Sequence, residues 1–112
     1  MTVGFLLTTS PEHQNGYTVY RLADAFLTEG HHVEIFMMDD GIYNVVQNAA
    51  KEKLFSGFQE LMSKGARVLI CALSAESRGF AENDLLPGVG FMSQYELSDI
   101  VSRSDRFLHF GG

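Results

Sequence analysis

The sequence predicts an α/β domain with an open, mostly parallel five-stranded sheet and helices on both faces. Three observations carry this. Short apolar runs alternate with segments of helical periodicity along the whole chain, the signature of strand–helix–strand units. The connections are punctuated by glycines such as Gly30 and Gly65, placed where helices should stop. A chain of 112 residues with 46% hydrophobic content is long and apolar enough for one core, and too short for two. A single domain over residues 1–112 is therefore expected.

Val3–Thr8 is a short apolar run and reads as a buried parallel strand. It leaves through TTSPEHQNG, rich in turn-forming residues. Val19, Leu22, Ala23, Phe26 and Leu27 then share one helical face, closed by Gly30. Val33–Met37 is the second strand, and the segment MDDGIYNVVQNAAKEK after it reads as a long loop. Phe55, Phe58, Leu61 and Met62 mark a second helix ending at Gly65. Arg67–Cys71 is the third strand, followed by a short helix and turn in ALSAESRGFAEND. Gly88–Met92 is a brief fourth strand. Ser93 and Glu96 have capping-box spacing at the start of a helix whose inner face is Leu97, Ile100 and Val101. Arg106–Phe110 closes the sheet.

With right-handed crossovers, the common small strand order 2-1-3-4-5 makes strands one and three neighbours. Their connections would leave to opposite faces, and ligands bind at such a switch, at the C-terminal strand ends. That expectation gathers Thr8, Thr9, Ser10 and His13 from one side and Cys71 from the other.

Composition removes several functions. The charge of −6 argues against a nucleic-acid surface. No apolar run approaches the ~18 residues of a membrane span. The opening MTVGFLLTTSPEH has no basic region and does not read as a signal peptide. One cysteine, Cys71, leaves no intramolecular disulfide, dithiol or multi-cysteine zinc site, and suits a reducing cytoplasm. No metal is expected: His31 and His32 are adjacent on a strand and point to opposite faces, Asp39–Asp40 lacks further ligands, and His109 reads as a core residue. The chain has no GxxxxGK[ST] phosphate loop and no GxSxG elbow. Gly88-Val89-Gly90 lacks the third glycine of a dinucleotide fingerprint. The Thr8–Ser10 hydroxyls leave a flavin phosphate as a weaker reading against plain turn chemistry.

Cys71 is the strongest candidate for chemistry. A thiolate between a strand end and a helix start is stabilised by early helical N–H groups, here those of Leu73 and Ser74. Ser77 offers a further hydroxyl, and Arg78 a positive charge if the helix turns it back. The competing reading is a small buried hydrophobe that only packs.

DDGIYNVV after strand two, VLICALSAESRG across strand three, and the ending SDRFLHF together resemble the DsrE-like sulfur-relay family of DsrE- and TusD-type persulfide carriers. Gly41, Ile42, Tyr43 and Asn44 fill its Gly-x-Tyr-Asn element, and Cys71, Arg78 and Gly79 its cysteine-to-glycine spacing; Tyr43 and Asn44 are thereby expected to line the cleft with Thr8, Thr9, Ser10 and His13. The resemblance spans essentially the whole chain, although the stretch between Gly79 and Ser93 is shorter than in relay subunits, which bears on substrate choice. It implies a flavodoxin-like fold and a cytoplasmic sulfurtransferase that carries sulfane sulfur on Cys71 between donor and acceptor proteins, without a cofactor, metal, membrane or direct contact with nucleic acid. It implies assembly as a homo-oligomer or with homologous subunits. Tyr43 and Val45, with Phe91 and Met92, read as spare apolar surface, which places the Gly41–Val46 segment near an interface and close to Cys71. The alternative is a non-catalytic subunit or small-ligand-binding module.

Overall fold

A computed structural model describes residues 1–47 and 57–111. The strands are β1 (Thr2–Leu7), β2 (His32–Met37), β3 (Arg67–Cys71), β4 (Gly90–Met92) and β5 (Arg106–Phe110). The helices are α1 (Asn15–Thr28), α2 (Phe58–Ser63), α3 (Ala72–Glu76) and α4 (Gln94–Arg103). Phe55, expected in the second helix, lies outside the described residues.

All four strand pairings are parallel, and the order is β4-β3-β2-β1-β5. This corrects the expected order 2-1-3-4-5: β2 lies between β1 and β3. The chain steps in one direction from β1 to β4 and then returns across the sheet to place β5 beyond β1. Constant right-handed crossovers require the three forward connections to lie on one face and the return on the other. The core divides accordingly. Val3, Phe5, Leu7, Ile35, Met37, Val68 and Ile70 face α1, α2 and α3 through Val19, Ala23, Phe58, Leu61 and Ala75. On the other face Phe36, Leu69 and Cys71 meet Ile100, with Leu97 packed alongside. α4 thus covers its face through Leu97 and Ile100, whereas Val101, expected to be inward, is exposed. Gly4 lets α4 sit close to β1, since a Cβ there would meet Ser104 Oγ at 2.6 Å and Ile100 Cγ2 at 2.9 Å. His109 is exposed on the edge strand β5, not in the core. Periodicity could not show this, because edge or centre is decided by strand order.

Within the expected loop after β2, Asp39–Val45 form a 3₁₀ helix, with Gly41, Ile42, Asn44 and Val45 buried; positions 48–53 of that expected loop lie outside the described residues. Tyr43 packs edge-on against Phe80, with ring centroids 5.6 Å apart. The expectation that Tyr43 and Val45 are spare surface is therefore corrected: Val45 is fully buried and Tyr43 packs half-buried against the core. Asn44 explains why the segment is held. Its Nδ2 donates to the carbonyls of Thr9 (2.9 Å) and Gly41 (2.8 Å), tying the turn after β1 to the turn after β2. Val46 pairs with Leu85 in an isolated antiparallel bridge.

At the opposite end of the sheet Glu34 is buried and receives two guanidinium groups. Arg103 donates from Nε to Oε2 at 2.8 Å and from Nη2 to Oε1 at 2.7 Å; Arg67 donates from Nη1 at 2.9 Å. The Arg103 hydrogen bonds, with those of Arg67, outweigh burial and hold the Glu34 carboxyl below its ordinary value. A depressed carboxyl contributes stability above its unfolded value, and that contribution is lost as pH falls through the folded value. Glu34→Gln is therefore expected to lower stability at pH 7 by about 1–2 kcal/mol, between the values for exposed and buried pairs because both arginines reach water. In urea titrations the gap from wild type should close as pH drops below about 4.

Candidate functional site

β3 feeds α3 on one face and β4 feeds α4 on the other, so neighbouring strands diverge at their C-terminal ends. The topological switch is thus between β3 and β4, not between the first and third strands. At this point lies a cleft of about 590 Å³ walled by Cys71, Ala72, Leu73, Met92, Ser93, Gln94, Tyr95 and Ser98. Cys71 ends β3 and is the N-cap of α3. Its side chain shares the α4 face with Phe36, Leu69 and Ile100, and the residue is 3% exposed. The rim is apolar and open: Leu73 is 72% and Tyr95 82% exposed.

Burial alone pushes the Cys71 thiol up. Hydrogen bonds from the Ser74 N–H, the Ser74 hydroxyl, the Gln94 amide and the Leu73 N–H outweigh it, so the thiol lies below its ordinary value. Such bonds favour the charged form because their donors point at the developing negative charge. The Ser74 hydroxyl is itself oriented. Its oxygen accepts the N–H of Asp39 at 2.9 Å, which leaves its proton for Cys71. Asp39 has a φ of +51°, a left-handed conformation that asparagine and aspartate tolerate better than most residues. The DDG turn therefore reaches the thiol through Ser74.

Cys71, Leu73 and Ser74 come together. Arg78 does not join them as an anion partner. Its guanidinium takes the Asp40 carboxylate at 3.0 and 3.1 Å and the Ser74 carbonyl at 3.1 Å. The geometric reason is the end of the helix: Arg78 lies beyond α3 and turns toward the 3₁₀ segment, fastening it to α3. Arg78→Ala is accordingly expected to move the pH midpoint of Cys71 alkylation by less than about 0.3 unit, while losing at most about 1 kcal/mol of stability, as for an exposed pair. Ser77 is also directed elsewhere, donating to the Ser74 carbonyl at 3.1 Å.

The other expected cleft residues form a separate cluster two strands from Cys71. Thr8 takes its backbone bond from β5, donating to the Phe110 carbonyl at 3.1 Å. Thr9 Oγ1 accepts from Asn15 at 3.1 Å, and Ser10 Oγ donates to Glu12 at 2.7 Å. His13 is exposed in the same turn. Thr8, Thr9, Ser10, His13, Tyr43 and Asn44 are not among the described residues that wall the cleft. The error follows from the strand order, which put β1 beside β3 where β2 lies and so set the switch between β1 and β3 instead of between β3 and β4. The same error hid Met92, Gln94, Tyr95 and Ser98. Their signal was the Ser93 cap immediately after the fourth strand, which places a helix start at that strand's C-terminal end; Ser93 Oγ accepts the Tyr95 N–H.

No group of three or more potential metal ligands occurs among the described residues, and no helix among them is long and apolar enough to cross a membrane.

Solved structures share this architecture. YchN from E. coli superposes with a TM-score of 0.83 at 18% identity, covering 98% of this chain and 99% of that one. MTH1491 from Methanobacterium thermoautotrophicum, described as a protein of unknown function, gives 0.83 at 15% identity, covering 97% and 98%. At the sequence level, uncharacterized protein MJ0989 of Methanocaldococcus jannaschii is 28% identical over 110 residues, spanning 94% of this chain and 96% of its own length. Uncharacterized protein MK0008 of Methanopyrus kandleri is 27% identical over 100 residues, spanning 87% and 83%. The model of the DsrE/DsrF-like family matches residues 1–110, and with the sheet order and strand-end cysteine already in place, the chain belongs to that family.

Proposed function

We propose that this protein carries sulfane sulfur as a persulfide on Cys71 between a donor protein and an acceptor protein, acting as a cytoplasmic sulfurtransferase. The observation that carries this reading is the hydrogen-bonded thiol of Cys71, lowered in pKa and set at the β3/β4 switch beside an open cleft. Membership in the DsrE/DsrF-like family supports a sulfur-relay role in general.

The Cys71 thiolate attacks the outer sulfur of a donor R–S–SH. The donor S–S bond breaks, R–S⁻ departs, and Cys71–S–SH forms with the proton retained on the transferred sulfur. An acceptor thiolate then attacks that outer sulfur, and Cys71 leaves as the thiolate. No net oxidant, metal or cofactor enters either step. A lone cysteine suits the task, because a second thiol nearby would discharge the persulfide as a disulfide. The apolar rim of Leu73 and Tyr95 suits contact with a protein partner or a second subunit. The charge of −6 does not suit direct binding of RNA.

The test is intact mass after incubation with a loaded persulfide donor protein. Wild type should gain one sulfur atom, removable by reductant, and its thiol should alkylate faster at neutral pH than a model peptide. The size of the cleft favours one competing reading, a small-ligand-binding module in which Cys71 only packs. That reading takes over if wild type fails to load from several donors and alkylates no faster than the peptide.

A further inference from the structure

We propose that Gln94 is a catalytic residue of the Cys71 site, its side-chain amide holding in turn the sulfur that is carried and the sulfur that leaves. This rests on the carrier reading and adds to it the group that handles the outer sulfur. The Gln94 Nε2 lies 3.9 Å from Cys71 Sγ and 3.9 Å from Met38 Sδ. One amide nitrogen carries two N–H donors, so one can stay on Cys71 while the other turns. The side chain is exposed, and packing does not explain where it sits. Its place is set from α4, capped by Ser93 next to the cleft, buried at Ile100, and held at the far end by Arg103 on Glu34.

The other donors to the thiol cannot follow the transferred sulfur. The Leu73 and Ser74 N–H groups belong to the backbone of α3, and the Ser74 hydroxyl is held by Asp39. All three serve the inner sulfur. The outer sulfur lies about 2.05 Å further out, toward a cleft whose walls include Ala72, Leu73, Met92 and Tyr95. Ser93 and Ser98 also bear hydroxyls on that wall, but Gln94 is the polar side chain there that already reaches Cys71 Sγ. Gln94 stands at that wall with a neutral donor that does not titrate. It can donate to a lone pair of the outer S–H sulfur in the loaded state and so position it, then stabilise the negative charge that develops on Cys71 Sγ as the acceptor thiolate takes the outer sulfur and the S–S bond electrons return to Cys71. Atoms and charge balance without any proton from Gln94.

The experiment compares wild type with Gln94→Ala, Gln94→Asn and Gln94→Glu. The first reading is the pH midpoint of Cys71 alkylation by iodoacetamide. The second is the rate at which persulfide-loaded protein gives up its sulfur to dithiothreitol. Losing one hydrogen bond to a charged sulfur should raise the midpoint in Gln94→Ala by about half a unit and slow discharge by about three-fold. Gln94→Glu, which puts a like charge beside the thiolate, should raise the midpoint by about one unit or more. Gln94→Asn should fall between wild type and Gln94→Ala. Identical midpoints and discharge rates in all four proteins overturn the proposal. So do equal shifts in Gln94→Ala and Gln94→Glu accompanied by a lower thermal midpoint, the pattern of a structural role. If wild type never loads while the order of midpoints holds, the carrier reading and the outer-sulfur role both fall, and only the contact to the thiolate stands.

Discussion

Cys71→Ser should lose sulfur loading completely and remain folded. The sequence contains one cysteine, so no other thiol can take over, and residual loading above background would place the sulfur on a non-thiol group and overturn the mechanism. The fold should survive because the site already supplies polar partners. Serine is slightly smaller than cysteine, and its hydroxyl meets the Ser74 and Leu73 N–H groups that now point at Sγ. Burying a hydroxyl with partners costs far less than burying an orphan, so the expected loss is about 1 kcal/mol. Mass spectrometry after exposure to a loaded donor reads the first effect, and urea denaturation the second. A Cys71→Ser protein that is unfolded would mean that the thiol is principally a packing residue.

Gly41→Ala should be the most destabilising glycine-to-alanine change among the described residues. A Cβ on Gly41 would overlap the carbonyl oxygen of Leu7, a backbone atom that has no room to move aside. That carbonyl already accepts the Met38 N–H at 3.3 Å, at the point where β1 and the 3₁₀ segment meet. Relief requires the whole Asp39–Val45 segment to lift away from β1, which pulls Asn44 off the Thr9 carbonyl and the Asp39 N–H off Ser74. Overpacking against rigid backbone combined with loss of buried hydrogen bonds should cost about 3 kcal/mol or more, read as a lower urea midpoint. Protein that stays folded should also show a raised alkylation midpoint at Cys71, because Ser74 loses the partner that orients its hydroxyl. A fall in stability with an unchanged thiol would break the link between this turn and the site.

Both predictions concern residues that stood out in the sequence, but for different reasons. The alternation of apolar runs and helical periods determined five strands and the helices between them, because burial imposes a period of two or of 3.6 on neighbouring residues. It also determined that Cys71 closes the third strand and opens a helix, and so that Leu73 and Ser74 present their N–H groups there. These are local properties, carried by a handful of adjacent positions. Strand order is not local. Each parallel strand looks equally apolar from within, so nothing in Val3–Leu7 says whether Met37 or Cys71 lies beside it. Only the tertiary structure set β2 between β1 and β3, and with that decided three things together. It removed Thr8, Thr9, Ser10 and His13 from the thiol and moved the topological switch to β3 and β4, where Met92, Gln94 and Tyr95 stand. It gave Asn44 and Tyr43 structural tasks, although their motif had suggested a place in the cleft. It turned Arg78 onto Asp40, because the end of a five-residue helix, rather than the sequence distance to Cys71, sets where a long side chain can reach.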